Sequence, residues 1–142
     1  RSTRSHVLVV VPSYFDFVRL RNHLKRQQVI FAQICEYTTL SNVSRARTYF
    51  YHGERRFMLY TERFHFHNRP RLRSVKHIVF YQPPMYPQLY TELVNSLTAE
   101  PGEEVTVTVP FTKYDALRLT RIVGEERAAR ILGSERDTHM FL

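Results

Sequence analysis

Apolar residues along this chain come in short continuous runs, separated by segments with helical spacing. Val7-Leu8-Val9-Val10-Val11 is unbroken and ends at Pro12, as expected of a central strand buried on both faces. Ser13 then opens a helix, with Asp16 three residues on in a capping-box arrangement and Phe17, Leu20 and Leu24 on one face. Phe31 to Glu36 predicts a second strand. Thr39, Ser41 and Ser44 offer caps for a second helix, in which Val43, Ala46 and Phe50 recur at three and four before Gly53 closes it. A third strand, Phe57 to Tyr60, stops at Thr61, and a fourth, His77 to Tyr81, stops before Pro83-Pro84. Pro87 to Leu97 predicts a helix carrying Leu89, Leu93 and Leu97. Val105, Val107 and Val109 alternate with Thr106 and Thr108, so the fifth strand has one less buried face. Thr112 and Asp115 cap a further helix that runs to Gly124, and a short last helix spans Glu125 to Leu132.

Strand and helix alternate, except between strands three and four, where the predicted link is an irregular basic stretch. This order implies an α/β fold: a three-layer domain with a mostly parallel sheet of five to six strands. The 142 residues suit one domain. Because the chain starts at Arg1 without Met, a longer parent protein is expected. Binding residues in such folds lie beyond the carboxyl ends of strands. Pro12-Ser13-Tyr14, Glu36 to Thr39, and the stretch from Thr61 onward all fall there.

Charge singles out one of these places. The chain has 21 Lys plus Arg against 13 Asp plus Glu, a net +8. Between Arg45 and His77 stand Arg45, Arg47, Arg55, Arg56, Arg63, Arg69, Arg71, Arg73 and Lys76, against only Glu54 and Glu62. That segment carries +7 of the total, so the basic character is a patch and points to a polyanion. Within it, Thr61 to Arg73 interleaves arginines with Phe64, His65, Phe66 and His67: cations for phosphate oxygens, flat rings for stacking. The alternative reading is a surface loop whose rings tuck into the core.

Other chemistry lacks its residues. The four glycines form no GxG pair and no P-loop, so no nucleotide fingerprint is present. His65 and His67 alternate without a third ligand at metal spacing, and no metal or other cofactor is expected. Ser13 lacks the flanking glycines of a nucleophile elbow, and capping explains it. Cys35, the single cysteine, excludes an internal disulfide; it reads as a buried filler in a reducing compartment. No apolar run reaches the ~20 residues of a membrane span, and no membrane partner is expected.

The strand ending in Thr61-Glu62 resembles the second RecA-like lobe of superfamily-two RNA helicases, and the resemblance runs over essentially the whole chain. In active members a Thr-Asp pair is followed by an Ala-Arg-Gly-x-Asp run linking RNA to ATP. Here Glu62 replaces the aspartate, and Phe64-His65-Phe66-His67 stands in place of the run. A His-Arg-x-Gly-Arg arginine-finger element belongs in the helix after strand four. This chain has Glu92-Leu93-Val94-Asn95-Ser96 there, with no arginine between Lys76 and Lys113. Closer still, Pro12-Ser13-Tyr14-Phe15-Asp16-Phe17-Val18-Arg19-Leu20-Arg21, Gln33-Ile34-Cys35-Glu36-Tyr37-Thr38, Ser44-Arg45-Ala46-Arg47, Leu59 to Phe66 and Lys113-Tyr114-Asp115-Ala116 resemble the digestive-organ-expansion-factor family. These are nucleolar, helicase-like proteins associated with the U-three small nucleolar RNA. The resemblance implies a non-catalytic component of the nucleolar small-subunit processome. Its partners would be pre-rRNA or small nucleolar RNA and other processome proteins, during 18S pre-rRNA processing. The RNA-binding residues expected are Thr61, Arg63, Arg69, Arg71, Arg73, Arg45, Arg47, Arg55 and Arg56. The alternative is an ATP-dependent RNA helicase whose first lobe lies outside this chain.

Overall fold

The five predicted strands form one parallel sheet in the computed structural model, which describes residues 5–70, 72, 74–84, 86–97, 104–110, 124 and 127. β1 (Val7–Val11) lies at the centre, paired with β3 (Phe57–Thr61) on one side and β4 (His77–Phe80) on the other. β2 (Phe31–Ile34) flanks β3, and β5 (Thr106–Thr108) flanks β4, giving the order β2-β3-β1-β4-β5. The alternating Val/Thr strand is thus at the edge of the described sheet, and its residues are half-buried or exposed. That is why its pattern has period two while β1 is apolar throughout.

The pleat sends alternate residues of β1 to different layers. Leu8 and Val10 join Val43, Ala46 and Phe50 of α2 (Leu40–Tyr51) and Leu89 and Leu93 of α4 (Pro87–Asn95) in the larger core. Val9 and Val11 join Leu59 and Cys35 beneath Phe17, Leu20 and Leu24 of α1 (Tyr14–Arg26). Three layers result, as the alternation of elements predicts. Phe17 is 1% exposed, and its burial contributes roughly 2–3 kcal/mol. Cys35 is a buried filler, as expected.

The caps follow the sequence closely. Ser13 Oγ accepts the Asp16 N–H at 3.2 Å, and Thr39 Oγ1 accepts that of Asn42 at 3.4 Å. α2 closes on Gly53, whose φ of 77° is left-handed and suits glycine. β2 stops two residues early because Cys35 turns: its N–H donates to Thr38 Oγ1, and its carbonyl accepts the Thr38 N–H.

The main departure concerns the link after β3, which is not irregular. Residues Glu62–Asn68 form a two-turn helix, α3, on the same side of the sheet as α2 and α4, with Phe64 in the larger core. After it, Leu72 and Val75 return to that core. The turn at Glu100 to Glu104 lies outside the described residues except for Glu104, as do the two predicted helices beyond Thr112, of which only Gly124 and Arg127 are described.

Candidate functional site

Thr61 is the hinge between β3 and α3. It is fully buried, and its Oγ1 accepts the Phe64 N–H at 3.2 Å, so its hydroxyl caps the helix. Glu62 in the first turn suits the positive end of the helix. From that start, Phe64 and His65 turn inward, while Arg63, Phe66 and His67 form one exposed face at i, i+3 and i+4. α3 ends at Arg69, which adopts a left-handed φ of 40° and donates its N–H to the His65 carbonyl at 2.7 Å. That conformation costs an arginine about 1 kcal/mol, so its neighbours must hold it.

Glu92 of α4 does so. Arg69 Nη1 donates to Glu92 Oε2 at 2.9 Å, and His65 Nε2 bonds Glu92 Oε1 at 2.9 Å. Behind them, Tyr60 Oη and His65 Nδ1 are 2.9 Å apart. A carboxylate only accepts, so Nε2 donates to Glu92, and in the neutral imidazole Nδ1 then accepts from the Tyr60 hydroxyl. Tyr60 is a dependable donor: burial pushes its phenol well above the ordinary value, Arg47 opposes this, and Glu92 adds to it. The relay Tyr60–His65–Glu92–Arg69 ties β3, α3 and α4 together.

The cleft of about 340 Å³ between α3 and α4 is lined by Pro12, Arg63, Phe66, His67, Arg69 and Tyr86, together with Glu62 and Glu92. Phe66 and Tyr86 are about half exposed, 5.9 Å apart and tilted by 32°. The Arg69 guanidinium lies 5.9 Å from the Phe66 centroid. His65 and His67, considered above as a metal pair, part company here, one buried in the relay and the other exposed. Among the described residues no group of three His, Cys, Asp or Glu side chains could hold a metal.

The basic segment does not form one surface. Arg63 and Arg69 lie at the carboxyl edge of the sheet, and exposed Arg45 sits in the half of α2 nearer that edge. Arg47 is half-buried and lines a groove with Leu72. Arg55 and Arg56 precede β3 and therefore lie at the amino edge, about 20 Å away along the strand. Arg55 there stacks over Tyr49 at 5.0 Å. Sequence neighbours on either side of a strand end on opposite edges, which a charge count along the chain does not register. Arg71 and Arg73 lie outside the described residues.

The family model for "Utp25, C-terminal domain" matches residues 1–141. The chain belongs to the Utp25 family. It is 50% identical over 141 residues to the human U3 small nucleolar RNA-associated protein 25 homolog, covering 97% of this chain and 19% of the relative. It is 38% identical over 146 residues to U3 small nucleolar RNA-associated protein 25 of Schizosaccharomyces pombe, covering 99% and 22%. Against the Arabidopsis thaliana protein NUCLEOLAR FACTOR 1, identity is 38% over 140 residues, covering 99% and 18%. The chain thus spans about a fifth of the length of these Utp25-family relatives. Among solved structures, the C-terminal domain of the DEAD-box protein Dbp5 superposes with a TM-score of 0.72 at 15% identity, covering 85% of this chain and 69% of that one. The Escherichia coli DEAD-box protein SrmB, bound to regulator of ribonuclease activity A, gives 0.69 at 14% identity, covering 86% and 70%. The fold of this Utp25-family chain is that of a helicase C-terminal RecA-like lobe.

Two residues of the site escaped the sequence reading. Glu92 had a signal: it is the only acidic residue between Glu62 and Glu100, on a helix opposite a basic segment. Tyr86, before Pro87, reads in sequence only as a helix boundary, and its place beside Phe66 requires the fold.

Proposed function

We propose that this chain is a non-catalytic, RNA-gripping lobe of a small-subunit processome component, acting in the nucleolus on pre-rRNA or small nucleolar RNA alongside processome proteins. Membership of a family whose relatives are named U3 small nucleolar RNA-associated protein supports the setting. The lobe fold and the arginines of its carboxyl edge support the grip. The observation that carries the absence of turnover is what stands at the finger positions. In the helix after the fourth strand, the two arginines of the His-Arg-x-Gly-Arg element fall on Leu93, fully buried in the core, and on Ser96, while Glu92 takes the histidine position and binds His65 and Arg69. Guanidinium groups would stabilise charge on a transferring phosphoryl group, and neither leucine nor serine supplies one.

Arg63, Arg69, Arg45 and Arg47 supply the phosphate contacts on this reading, with Arg71 and Arg73 continuing the run. Thr61 contributes by fixing α3, and Arg55 and Arg56 serve a separate surface. If about five phosphates of a single strand are neutralised, the log–log dependence of affinity on salt has a slope of roughly −3.5. Filter binding of single-stranded RNA by the full-length protein across a salt series tests this. Affinity independent of salt would sink the RNA reading and favour docking of acidic protein segments.

A further inference from the structure

We propose that the cleft between α3 and α4 receives one unstacked nucleobase of a bound single strand, seated on Phe66 and Tyr86. The inference rests on the RNA-binding reading and adds a ligand and a place to it. Two large rings stand about half exposed side by side along the same cleft. Sandwiching a base between two rings needs two stacking intervals, about 7 Å. Their centroids are only 5.9 Å apart, so the base stacks on the outer face of the pair, with the second ring backing the first. Arg69, already over Phe66, adds cation–π attraction at the same platform.

The distribution of charge selects a base over a bare phosphate. Glu62 is buried, and Glu92, about a third exposed, is held by His65 and Arg69, so carboxylates line the cleft beside the rings. A phosphate pushed inward would meet those carboxylates, whereas the amino and imino hydrogens of a base can bond to acceptors there. Arg63 and Arg69 line the same cleft and are exposed to solvent, where the flanking phosphates would lie. Ring inside and phosphates outside is the arrangement in which a splayed nucleotide enters a cleft.

The test compares the full-length protein with its Phe66→Ala/Tyr86→Ala variant, using single-stranded RNA and inorganic polyphosphate as probes. Both side chains are about half exposed and neither belongs to the buried core, so the fold tolerates their removal, and Phe66→Tyr serves as the rescuing control. The expected result is a loss of RNA affinity of roughly 5- to 100-fold, an unchanged salt slope, unchanged polyphosphate binding, and retention of RNA affinity in Phe66→Tyr. Unchanged RNA affinity in the double variant overturns the base pocket while leaving the RNA reading intact. Equal losses for RNA and polyphosphate also overturn it, by showing a merely structural effect. Wild-type protein that binds no RNA overturns both.

Discussion

Reversing Arg45 and Arg63 to glutamate together will weaken single-stranded RNA binding by the full-length protein about a hundredfold at ~0.1 M salt, while Arg56→Glu will change it less than about threefold. All three side chains are exposed. Arg63 stands on α3 at the carboxyl edge, and Arg45 projects from the nearer half of α2. Arg56 stands at the start of β3, beyond the Debye length of about 10 Å from that edge. Each lost contact should also flatten the salt slope by roughly 0.7. Equal effects from Arg45/Arg63 and Arg56 would place the RNA somewhere other than the carboxyl edge.

The second large effect is on stability. His65→Leu will raise amide hydrogen exchange across α3 about a hundredfold, equivalent to roughly 3 kcal/mol of local stability. The leucine fills similar space but strands the Tyr60 hydroxyl in the core and removes the His65–Glu92 hydrogen bond. Burial keeps Tyr60 protonated, so the orphaned group is a neutral donor costing about 1–3 kcal/mol. Adding Tyr60→Phe removes that orphan, so Tyr60→Phe/His65→Leu should exchange more slowly than His65→Leu alone. If the double variant is no better, the relay is not what fastens α3. Hydrogen-exchange mass spectrometry on the full-length protein reads both variants segment by segment.

What was legible in the sequence follows from physics that acts locally. β1 announces itself because a strand covered on both faces admits no polar residue. Ser13, Thr39 and Gly53 announce helix ends because each supplies a bond or a dihedral that few other residues supply. α3 was missed although Thr61 and Glu62 are a good helix start, because the segment is two turns long and ends on Arg69 in place of a glycine. Tertiary contact supplies what propensity does not: the Arg69 conformation is held by Glu92, 23 residues away. The candidate site was legible in kind and less so in place. The composition from Thr61 to Arg69 points to the end of β3, and the cleft lined by Arg63, Phe66 and Arg69 lies there. The division of the arginines between two edges, and the pairing of Phe66 with Tyr86, are consequences of topology that no count along the chain contains.

Grip without turnover is the centre of this account, and one measurement addresses it directly. Full-length protein saturated with single-stranded RNA, in the presence of ATP and magnesium, is assayed for phosphate release against an RNA-free sample. The account predicts bound RNA and the same release rate in both samples, because Leu93 and Ser96 stand at the positions of the finger arginines and supply no cation. RNA-stimulated ATP hydrolysis would contradict it and restore the helicase reading.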